Sequence, residues 1–435
     1  MTKKSVSVFW FRRDLRLNNN TGLLAALQSG NSVLPLFIFD TDILSELSKD
    51  DARVTFIYDQ LAKINATLND VGSALYVGIG KPHEIWEKLT STFDVQSVFF
   101  NHDYEPYALK RDAAISELLQ PKKISVTSFK DHVFFEKNEI VKADGLPYTV
   151  YTAYKNKWLE KFKALPVYKP VDEKKLLKNF AKYAVEFPTL DQIGFVRSKI
   201  SAPDYRSKFV TGYDEVRDFP ALDRTTYVGH HLRFGTISVR SLVYFANAKN
   251  QTFLSEIIWR DFFSQILYHF PHVTQNSFKK PYDHIQWENN DQLFEKWCTG
   301  KTGYPIVDAG MNQLNQTGFM HNRVRMIVAS FLVKHLLIDW RWGEAYFAEK
   351  LLDYDLASNN GNWQWAAGCG CDAAPYFRVF SPALQQEKFD PKSEYIRKWI
   401  PGFDPKNYIE PIVEHAFARD RAIKRFKAGI ESGKL

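Results

Sequence analysis

The residue types best suited to chemistry are concentrated in one segment, Leu351–Gly368, which reads LLDYDLASNNGNWQWAAG. It combines two carboxylates two residues apart with several asparagines, a glycine and two tryptophans. A turn whose polar side chains converge on a bound ligand needs such a mixture. A capped helix–turn–helix with its tryptophans in the core has the same pattern, so this segment by itself leaves both interpretations open.

A second group of polar side chains lies on one predicted helix. Arg325 and Met326 lie three and four residues after Asn322, so a helix brings all three to a common side. The apolar residues of this segment follow the i, i+3, i+4 spacing of a buried helix face, and they are Val324, Ile327, Val328, Phe331 and Leu332. The sequence therefore predicts a helix that packs along its apolar face and can direct the polar residues to one site.

Several common catalytic patterns are missing. Gly300-Lys301-Thr302 resembles the end of a phosphate-binding loop, but that motif requires glycine where this chain has Glu295. No G-x-G-x-x-G follows a predicted strand, and neither H-E-x-x-H nor G-x-S-x-G occurs. Three cysteines without a histidine cluster argue against a disulfide framework and against a zinc or iron–sulfur site. We therefore expect a reducing compartment and no metal.

The first 130 residues alternate strand-like and helix-like segments. The predicted strands are Ser5–Phe11, Ser32–Asp40, Ala74–Gly78, Ser97–Asn101 and Ile124–Phe129. Helical periodicity between them, as in Arg53–Leu68 and Tyr107–Leu119, favours parallel βαβ units and a doubly wound five-stranded sheet. Ligands bind such sheets at the carboxyl ends of the strands, where Phe39-Asp40 and Asn101-His102-Asp103 lie.

The remainder of the chain has a different organisation. From about Ala164 to Lys199 the sequence is rich in proline and lysine and lacks periodicity, which is typical of a connection. After Asp218 it is overwhelmingly helical, ending in the basic amphipathic stretch Ala418–Lys427, which suits a solvated helix end or a DNA contact equally well. We predict an α/β domain over 1–130, a long linker over 131–200 and an all-α domain over 201–435.

The composition restricts the class of protein further. The chain carries 57 lysine and arginine residues against 50 acidic residues, a formal net charge of +7. This excess suits a polyanionic partner, although over 435 residues it is also compatible with simple solubility. Aromatic residues reach 15%, which suits ring-lined pockets as well as an aromatic core. No apolar run approaches the length of about 18 residues needed to cross a membrane, and the first residues lack a leader pattern, so we predict a cytoplasmic protein.

Several motifs, in order and spacing, are similar to those of the photolyase/cryptochrome family. They are WFRRDLR from Trp10, TGYPIVDAGMNQL from Thr302, TGFMHNRVRM from Thr317, LLIDWRWGEAYF from Leu336, DYDLASNNGNWQW from Asp353 and APYFRVFSP from Ala374. The resemblance extends from the first strand to about Trp399 and is closest to class I cyclobutane dimer photolyases. It implies an α/β antenna domain, a long linker and a helical domain that holds FAD.

The resemblance also implies which residues hold the FAD. The positions that match the family's cofactor contacts are Tyr213, Thr225, Thr226, Tyr227, Val228, Gly229, Arg260, Arg325, Asp353, Tyr354, Asp355 and Asn359. The stretch Thr225–Gly229 corresponds to a phosphate-binding part, and the family usually has a small hydroxyl residue where this chain has Gly229. Arg325 is expected to pair with Asp353, and the amide of Asn359 is expected to face the flavin N5 and accept a hydrogen bond from its N–H.

The substrate side is implied in the same way. Catalytic contacts to a pyrimidine dimer match Glu256, Asn322, Met326, Trp259 and Trp365. Glu256 corresponds to the acid that hydrogen-bonds the dimer carbonyl, and the two tryptophans correspond to flat apolar walls. DNA phosphate contacts match Arg260, Arg323 and Arg378, and an electron-transfer chain matches Trp363, Trp340 and Trp287.

The implied activity is light-driven repair of cyclobutane pyrimidine dimers in duplex or single-stranded DNA, without sequence preference. We expect a monomer with a second antenna chromophore of the deazaflavin, flavin or methenyltetrahydrofolate type. Asp51–Ile57 and Asn101–Tyr107 are more similar to the segments of deazaflavin- or flavin-binding members. Alternatives are a (6-4) photolyase, for which a histidine pair is expected at Asn322 and Met326, a cryptochrome photoreceptor, and an unrelated nucleotide-binding α/β protein.

Overall fold

The computed structural model describes residues 4–166 and 173–434, which pack into two units. The first unit runs to Glu136 and also includes Lys163–Asp204 and Val228–Ala248; the second includes Lys137–Phe162, Tyr205–Tyr227 and the chain from Lys249 onwards. These units divide the chain differently from the predicted boundaries at 130 and 200. Residues 167–172 of the predicted linker lie outside the described residues.

Strands and helices alternate in the early part of the described chain, and helices follow. The strands are β1 (Ser5–Phe11), β2 (Val33–Asp40), β3 (Tyr76–Gly80), β4 (Asp94–Asn101) and β5 (Ser125–Phe129). The α-helices are α1 (Thr21–Leu27), α2 (Thr41–Leu44), α3 (Ala52–Asp70), α4 (Pro82–Thr92), α5 (Pro106–Leu119), α6 (Tyr151–Lys163), α7 (Leu190–Ile193), α8 (Tyr213–Val216), α9 (Val228–Arg233), α10 (Val239–Lys249), α11 (Gln251–His269), α12 (Asp291–Cys298), α13 (Pro305–Thr317), α14 (Asn322–Ser330), α15 (Trp340–Lys350), α16 (Leu356–Ala367), α17 (Pro382–Phe389), α18 (Glu394–Trp399) and α19 (His415–Ser432). A π-helical turn, Phe331–His335, extends α14.

The first unit is built on a parallel five-stranded sheet with the order β3-β2-β1-β4-β5. Alternate residues of β1 enter two separate cores: Val8 and Trp10 lie in one, and Phe9 and Phe11 in the other. Because both faces of the sheet are buried, the central strands are almost continuously apolar. The doubly wound α/β fold predicted from the sequence is confirmed, and the strand bounds differ from the prediction by three residues or fewer.

The segment Val228–Ala248 joins this unit through the chain that follows β1. The backbone N–H of Leu15 donates to the carbonyl of Phe234 at 3.0 Å, and Arg16 donates to the carbonyl of Gly235 at 2.9 Å. Gly235 has φ of +64°, and a Cβ atom there would lie 2.1 Å from the carbonyl oxygen of Arg13. This close approach of two backbones requires glycine, which is a relation that local sequence patterns do not reveal.

Replacing Gly235 by alanine is therefore expected to destabilise the protein strongly. An alanine with positive φ costs about 1 to 2 kcal/mol, and the backbone clash adds about 1 to 3 kcal/mol. Gly30→Ala is a matched control, because Gly30 also has positive φ (+90°) but no atom within 4 Å of the new Cβ. Thermal unfolding should show a clearly larger loss for Gly235→Ala, and equal losses would contradict the proposed close approach.

The second unit is helical, as predicted, and α16 lies at its centre. A Cβ at Gly343 of α15 would meet the ring of Trp363, and a Cβ at Gly361 of α16 would meet the ring of Phe263 on α11. The two glycines therefore allow α15 and α11 to pack closely against α16. A large apolar cluster surrounds this arrangement and includes Trp297, Trp340 and Trp363.

The segment Gly300-Lys301-Thr302 has a structural role. Asp308, fully buried in the first turn of α13, accepts hydrogen bonds from the backbone N–H groups of Thr302 at 2.8 Å and Gly303 at 3.1 Å. These N–H groups are thereby satisfied within the protein, which agrees with the rejection of a phosphate loop. Among the described residues, no helix combines the length and the hydropathy needed to cross a membrane.

Candidate functional site

A cavity of about 600 Å³ opens between α14, α15 and α16 of the second unit. Its walls include many of the residues that the sequence singled out, and these are Asn322, Arg325, Met326, Asp353, Tyr354, Asp355, Asn359, Trp363 and Trp365. Part of this volume is open to solvent. The two polar groups of the sequence, one on α14 and one around Leu351–Gly368, therefore meet at one site.

An ion pair forms one wall of this cavity. The guanidinium Nη2 of Arg325 lies 2.9 and 3.1 Å from the two carboxylate oxygens of Asp353, and its Nε donates to the carbonyl of Met320 at 2.8 Å. Both side chains are largely buried, with exposed fractions of 24% and 17%. Arg325 therefore compensates a carboxylate that is costly to bury alone, and it holds that carboxylate in a defined orientation.

Asn359 is oriented by a residue that the sequence analysis missed, Glu344 of α15. The amide Nδ2 of Asn359 lies 2.8 Å from Glu344 Oε1 and 3.1 Å from the Glu344 carbonyl oxygen. Because both amide hydrogens are used in this way, the oxygen of Asn359 is the group left to accept a hydrogen bond from a ligand. Burial raises the pKa of Glu344, whereas its hydrogen bond from Asn359 lowers it. Glu344 is fifteen residues away on another helix, so no local pattern indicates this pair.

The three tryptophans predicted for electron transfer share one apolar cluster. Trp363 lines the cavity and is only 2% exposed, Trp340 is also 2% exposed, and Trp287 is half-buried at the edge of the cluster. The ring of Trp363 is perpendicular to Phe347 at 5.0 Å and makes an edge contact with Trp297 at 6.2 Å. Trp363 and Trp340 are therefore both buried, and Trp287 is the most exposed of the three.

Glu256 lies on α11, outside the cavity lining, and pairs with Arg217 at the end of α8. Burial raises the pKa of Glu256, and the charge and hydrogen bond of Arg217 oppose this effect. Arg217 also lies over the ring of Tyr213. The sequence analysis did not identify Arg217, although its position four residues after Tyr213 on a helical turn is a recognisable signal.

Trp259, one turn after Glu256, has a covered aromatic face. The ring of Tyr151 stacks on it at 3.5 Å with an interplanar angle of 7°, and the hydroxyl of Tyr151 donates to the carbonyl of Ser255 at 2.7 Å. The flat wall expected at Trp259 is therefore occupied by a ring in this structure, because α6 begins directly against α11. Trp365, in contrast, lines the cavity and is half-buried.

The stretch predicted to bind phosphate crosses from one unit to the other. Tyr227 has φ of +54°, an uncommon conformation for a residue other than glycine, and its ring contacts Phe319, over which the Arg325 guanidinium also lies. Thr225 and Thr226 precede this turn in the second unit, with Thr226 buried. Val228 and Gly229 begin α9 in the first unit.

The arginines predicted to contact DNA differ in how they are engaged. Arg323 donates to Asp218 at 2.6 Å, and its guanidinium lies over the ring of Phe389 at 4.3 Å. Arg378 is exposed, in the chain between α16 and α17, and lies near the ring of Phe380. Arg260 is half-buried on α11. In the basic helix α19, Arg421 and Arg425 pair with Glu288, while Phe426 is buried.

Comparisons with known proteins identify the family. Residues 7–174 match the family model "DNA photolyase", and residues 253–405 match "FAD binding domain of DNA photolyase". The deoxyribodipyrimidine photo-lyase of Halobacterium salinarum is 34% identical, covering 97% of this chain and 99% of its own length. A class III photolyase from Agrobacterium tumefaciens is 33% identical with a TM-score of 0.87, covering 99% of this chain and 98% of its own. An archaeal photolyase from Sulfolobus tokodaii with two FAD molecules is 34% identical with a TM-score of 0.84, covering 97% of this chain and all of its own.

The chain belongs to the DNA photolyase family, and it is an enzyme of the photo-lyase class with an FAD-binding helical domain. The cavity fits this cofactor chemically, because it offers a compensated carboxylate and an amide oxygen that is aimed by Glu344.

Proposed function

We propose that this protein repairs cyclobutane pyrimidine dimers in DNA by light-driven electron transfer. The observation that carries the proposal is the cavity of about 600 Å³. In its walls, residues predicted to contact the cofactor lie beside residues predicted to contact the substrate. Arg325, Asp353 and Asn359 belong to the first kind, and Asn322, Met326 and Trp365 to the second. Such proximity is required if a bound dimer is to receive an electron directly from the cofactor.

In this proposal the cofactor is held by Asp353, Asp355 and Asn359, with Arg325 fixing the first of them. When bound and reduced, FAD supplies a photo-excited electron to the dimer. The amide oxygen of Asn359 accepts a hydrogen bond from the flavin ring, and Glu344 keeps the amide from rotating. Tyr213, Thr225, Thr226, Tyr227, Val228, Gly229, Tyr354 and Arg260 remain our prediction for the other cofactor contacts.

On the substrate side, Glu256 hydrogen-bonds a dimer carbonyl, and Asn322 and Met326 contact the bases. Burial of Glu256 raises its pKa and favours its protonated form, which can donate to a carbonyl that gains negative charge. Arg217 holds the carboxyl group in position. Flipping the lesion out of the duplex costs a few kcal/mol, because its bases must leave the stack. This cost is lowest where the damage has already weakened base pairing.

We propose that arginine side chains outside the cavity bind the DNA. Arg378 is exposed and suits a phosphate contact, and Arg260 and Arg323 remain further candidates. Arg323 is engaged by Asp218, so any contact with phosphate competes with an ion pair of 2.6 Å. Such contacts fix the position of the protein along the duplex without reading its base sequence.

We propose further that the protein acts as a monomer in the cytoplasm.

Electron supply to oxidised cofactor is assigned to Trp363, Trp340 and Trp287. An indole can lose an electron to an excited acceptor. Trp287 is the most exposed of the three indoles, so a positive charge that reaches it is stabilised by solvent. An external thiol reductant then restores the outermost indole.

We also infer a second, light-collecting chromophore, of the deazaflavin, flavin or folate type, in the first unit. The Sulfolobus tokodaii photolyase, with its two FAD molecules and the light-harvesting cofactor they imply, supports this inference. At the carboxyl end of β2, Tyr107 is 41% exposed and contacts Asp40, and Arg111 lies over the ring of Trp10 at 5.0 Å. The purified protein should show either an absorption band that does not belong to FAD or, if the second chromophore is a flavin, more than one flavin per chain.

A repair assay on defined oligonucleotides tests the activity. Purified protein is incubated with a cyclobutane dimer or a (6-4) photoproduct, in blue light and in darkness, and the remaining lesion is measured. We expect loss of the cyclobutane dimer in light alone. Repair of the (6-4) lesion only would support that alternative, and binding without light-dependent loss of either lesion would support a photoreceptor.

Replacing Glu256 by alanine is expected to lower the repair yield per absorbed photon about tenfold, because one hydrogen bond to a charged group, worth about 1.5 kcal/mol, is removed. FAD content should stay unchanged, since Glu256 is outside the cavity lining. Glu215→Ala, which removes an exposed acid of α8, is the matched control. An unchanged repair yield for Glu256→Ala would remove its proposed role.

A further inference from the structure

A histidine, a serine and a glutamate are connected at the carboxyl ends of β4 and β5, in the first unit. His102 directly follows β4, and its Nε2 lies 2.9 Å from the hydroxyl Oγ of Ser128 on β5. Its Nδ1 lies 2.8 Å from Oε2 of Glu136. This is the connectivity of the catalytic triads of acyl-transfer enzymes, which are recognised by geometry and not by sequence order. None of these residues is among the flavin, lesion, DNA or electron-transfer contacts proposed above.

The hydrogen bonds determine which atom can act as a base. An ionised carboxylate only accepts, so Nδ1 of His102 must carry the proton that points to Glu136. In the neutral ring Nε2 is then the acceptor, and it faces the hydroxyl hydrogen of Ser128. The buried hydroxyl of Tyr104 also donates to Glu136 and so helps to hold the carboxylate.

The serine is accessible to a substrate. Ser128 is exposed, β5 is the edge strand of the sheet, and the side chain of His102 is 20% exposed. The carbonyl of Phe129 accepts a hydrogen bond from the N–H of His102 at 2.7 Å. The backbone groups of Phe129 therefore point toward β4, with which β5 pairs. Its neighbour Ser128 therefore turns its own N–H toward the open edge. A backbone N–H beside the nucleophile is one of the donors that acyl-transfer enzymes use to stabilise an oxyanion.

A small polar hollow lies next to the histidine and is lined by His102, His132, Asp103 and Arg13 among others. Because Ser128 is exposed, an ester would approach it from the solvent side. Arg13 is paired with Asp103 and Glu105, so the hollow has no strong preference for an anionic substrate. This setting suits a small uncharged ester.

We propose that Ser128, His102 and Glu136 form a second, light-independent site that hydrolyses small carboxylic esters. Ser128 Oγ bonds to the carbonyl carbon while its proton passes to His102 Nε2. The carbon–oxygen bond to the leaving group breaks, and the alcohol leaves with that proton. Water then attacks the acyl-serine, giving a proton to Nε2, and the carboxylic acid is released as Ser128 regains its proton. Ester and water are converted to acid and alcohol without an oxidant or a cofactor.

The test uses the FAD-loaded protein in darkness with a fluorophosphonate probe and with p-nitrophenyl acetate. We expect the probe to label Ser128, as found by peptide mass mapping, and Ser128→Ala to abolish both labelling and hydrolysis. Ser125→Ala, an exposed serine of the same strand, is the control and should behave as the unmodified protein. His102→Gln should slow labelling about 100-fold or more, the usual contribution of a general base.

Glu136 acts through His102 and is a positioning residue. Glu136→Gln should slow labelling at a constant affinity for the ester, while Glu136→Asp should restore part of the rate. Dimer repair in light should be the same in the Ser128 and Glu136 variants, which separates this site from the repair activity. Absence of labelling at Ser128, or hydrolysis by Ser128→Ala equal to that of the unmodified protein, would overturn the proposal.

Discussion

Replacing Arg325 by methionine is expected to lower the affinity for FAD about 100-fold, a change of about 2.7 kcal/mol. Asp353 stays in the cavity wall in this variant, but the guanidinium that lies 2.9 Å from its carboxylate is gone. An uncompensated carboxylate whose side chain is only 17% exposed then faces a cofactor that is itself negatively charged. The dissociation constant can be measured from the change in flavin fluorescence on binding to apoprotein.

Arg323→Met is the matched control for this prediction. Arg323 lies on the same helix and is also ion-paired, with Asp218, but it is not part of the cavity lining. We expect its FAD affinity to stay within about threefold of the unmodified protein, which is about 0.7 kcal/mol. Equal losses in the two variants would mean that general damage to α14 is responsible, and the role of the Arg325–Asp353 pair would then be withdrawn.

The second large effect is expected at Trp363. Trp363→Phe should slow light-driven reduction of bound oxidised FAD at least about tenfold, equivalent to about 1.4 kcal/mol or more. Phenylalanine retains an aromatic ring at this buried position, but it is far harder to oxidise than an indole. The measurement is the rate of bleaching of oxidised flavin absorbance under blue light with a thiol reductant.

Two comparisons make this result interpretable. Trp399→Phe changes a partly buried tryptophan that packs against the same apolar cluster, and it should leave photoreduction unchanged. Dimer repair by Trp363→Phe that has first been reduced with dithionite should also be close to normal, because the proposed repair electron does not pass through this indole. Normal photoreduction in Trp363→Phe would place the first electron donor elsewhere.

Much of the fold could be predicted from the sequence because the determining interactions are local. The apolar runs of β1 and β2, separated by helical periodicity, indicate a parallel sheet, since only strands buried on both faces are apolar throughout. The helical class of the later part follows in the same way from the spacing of Val324, Ile327 and Val328. These patterns do not indicate that Val228–Ala248 packs with the first unit, because that packing depends on Gly235 approaching Arg13, which is far away along the chain.

The sequence indicated some residues of the candidate site and not others, again because it reveals only relations between residues that are close along the chain. Motif resemblance indicated Arg325, Asp353 and Asn359, and the cavity contains all of them. It did not indicate Glu344, which orients Asn359, or Tyr151, which covers the face of Trp259, since each belongs to a different helix from its partner. The sequence places His102 at the end of a strand, but it does not indicate the contact of this histidine with Ser128 on the neighbouring strand.

The sequence by itself determined the two kinds of domain, the family and the residues that we propose for binding a flavin and a dimer. Residue types and short spacings are properties of the chain, and these features depend on them. Only the tertiary structure decided which of these residues share a cavity, which ones are already engaged in ion pairs such as Arg323–Asp218, and which partners orient them. The physical reason is that hydrogen bonds and packing act over a few ångströms, and folding brings within that range residues that no sequence pattern relates.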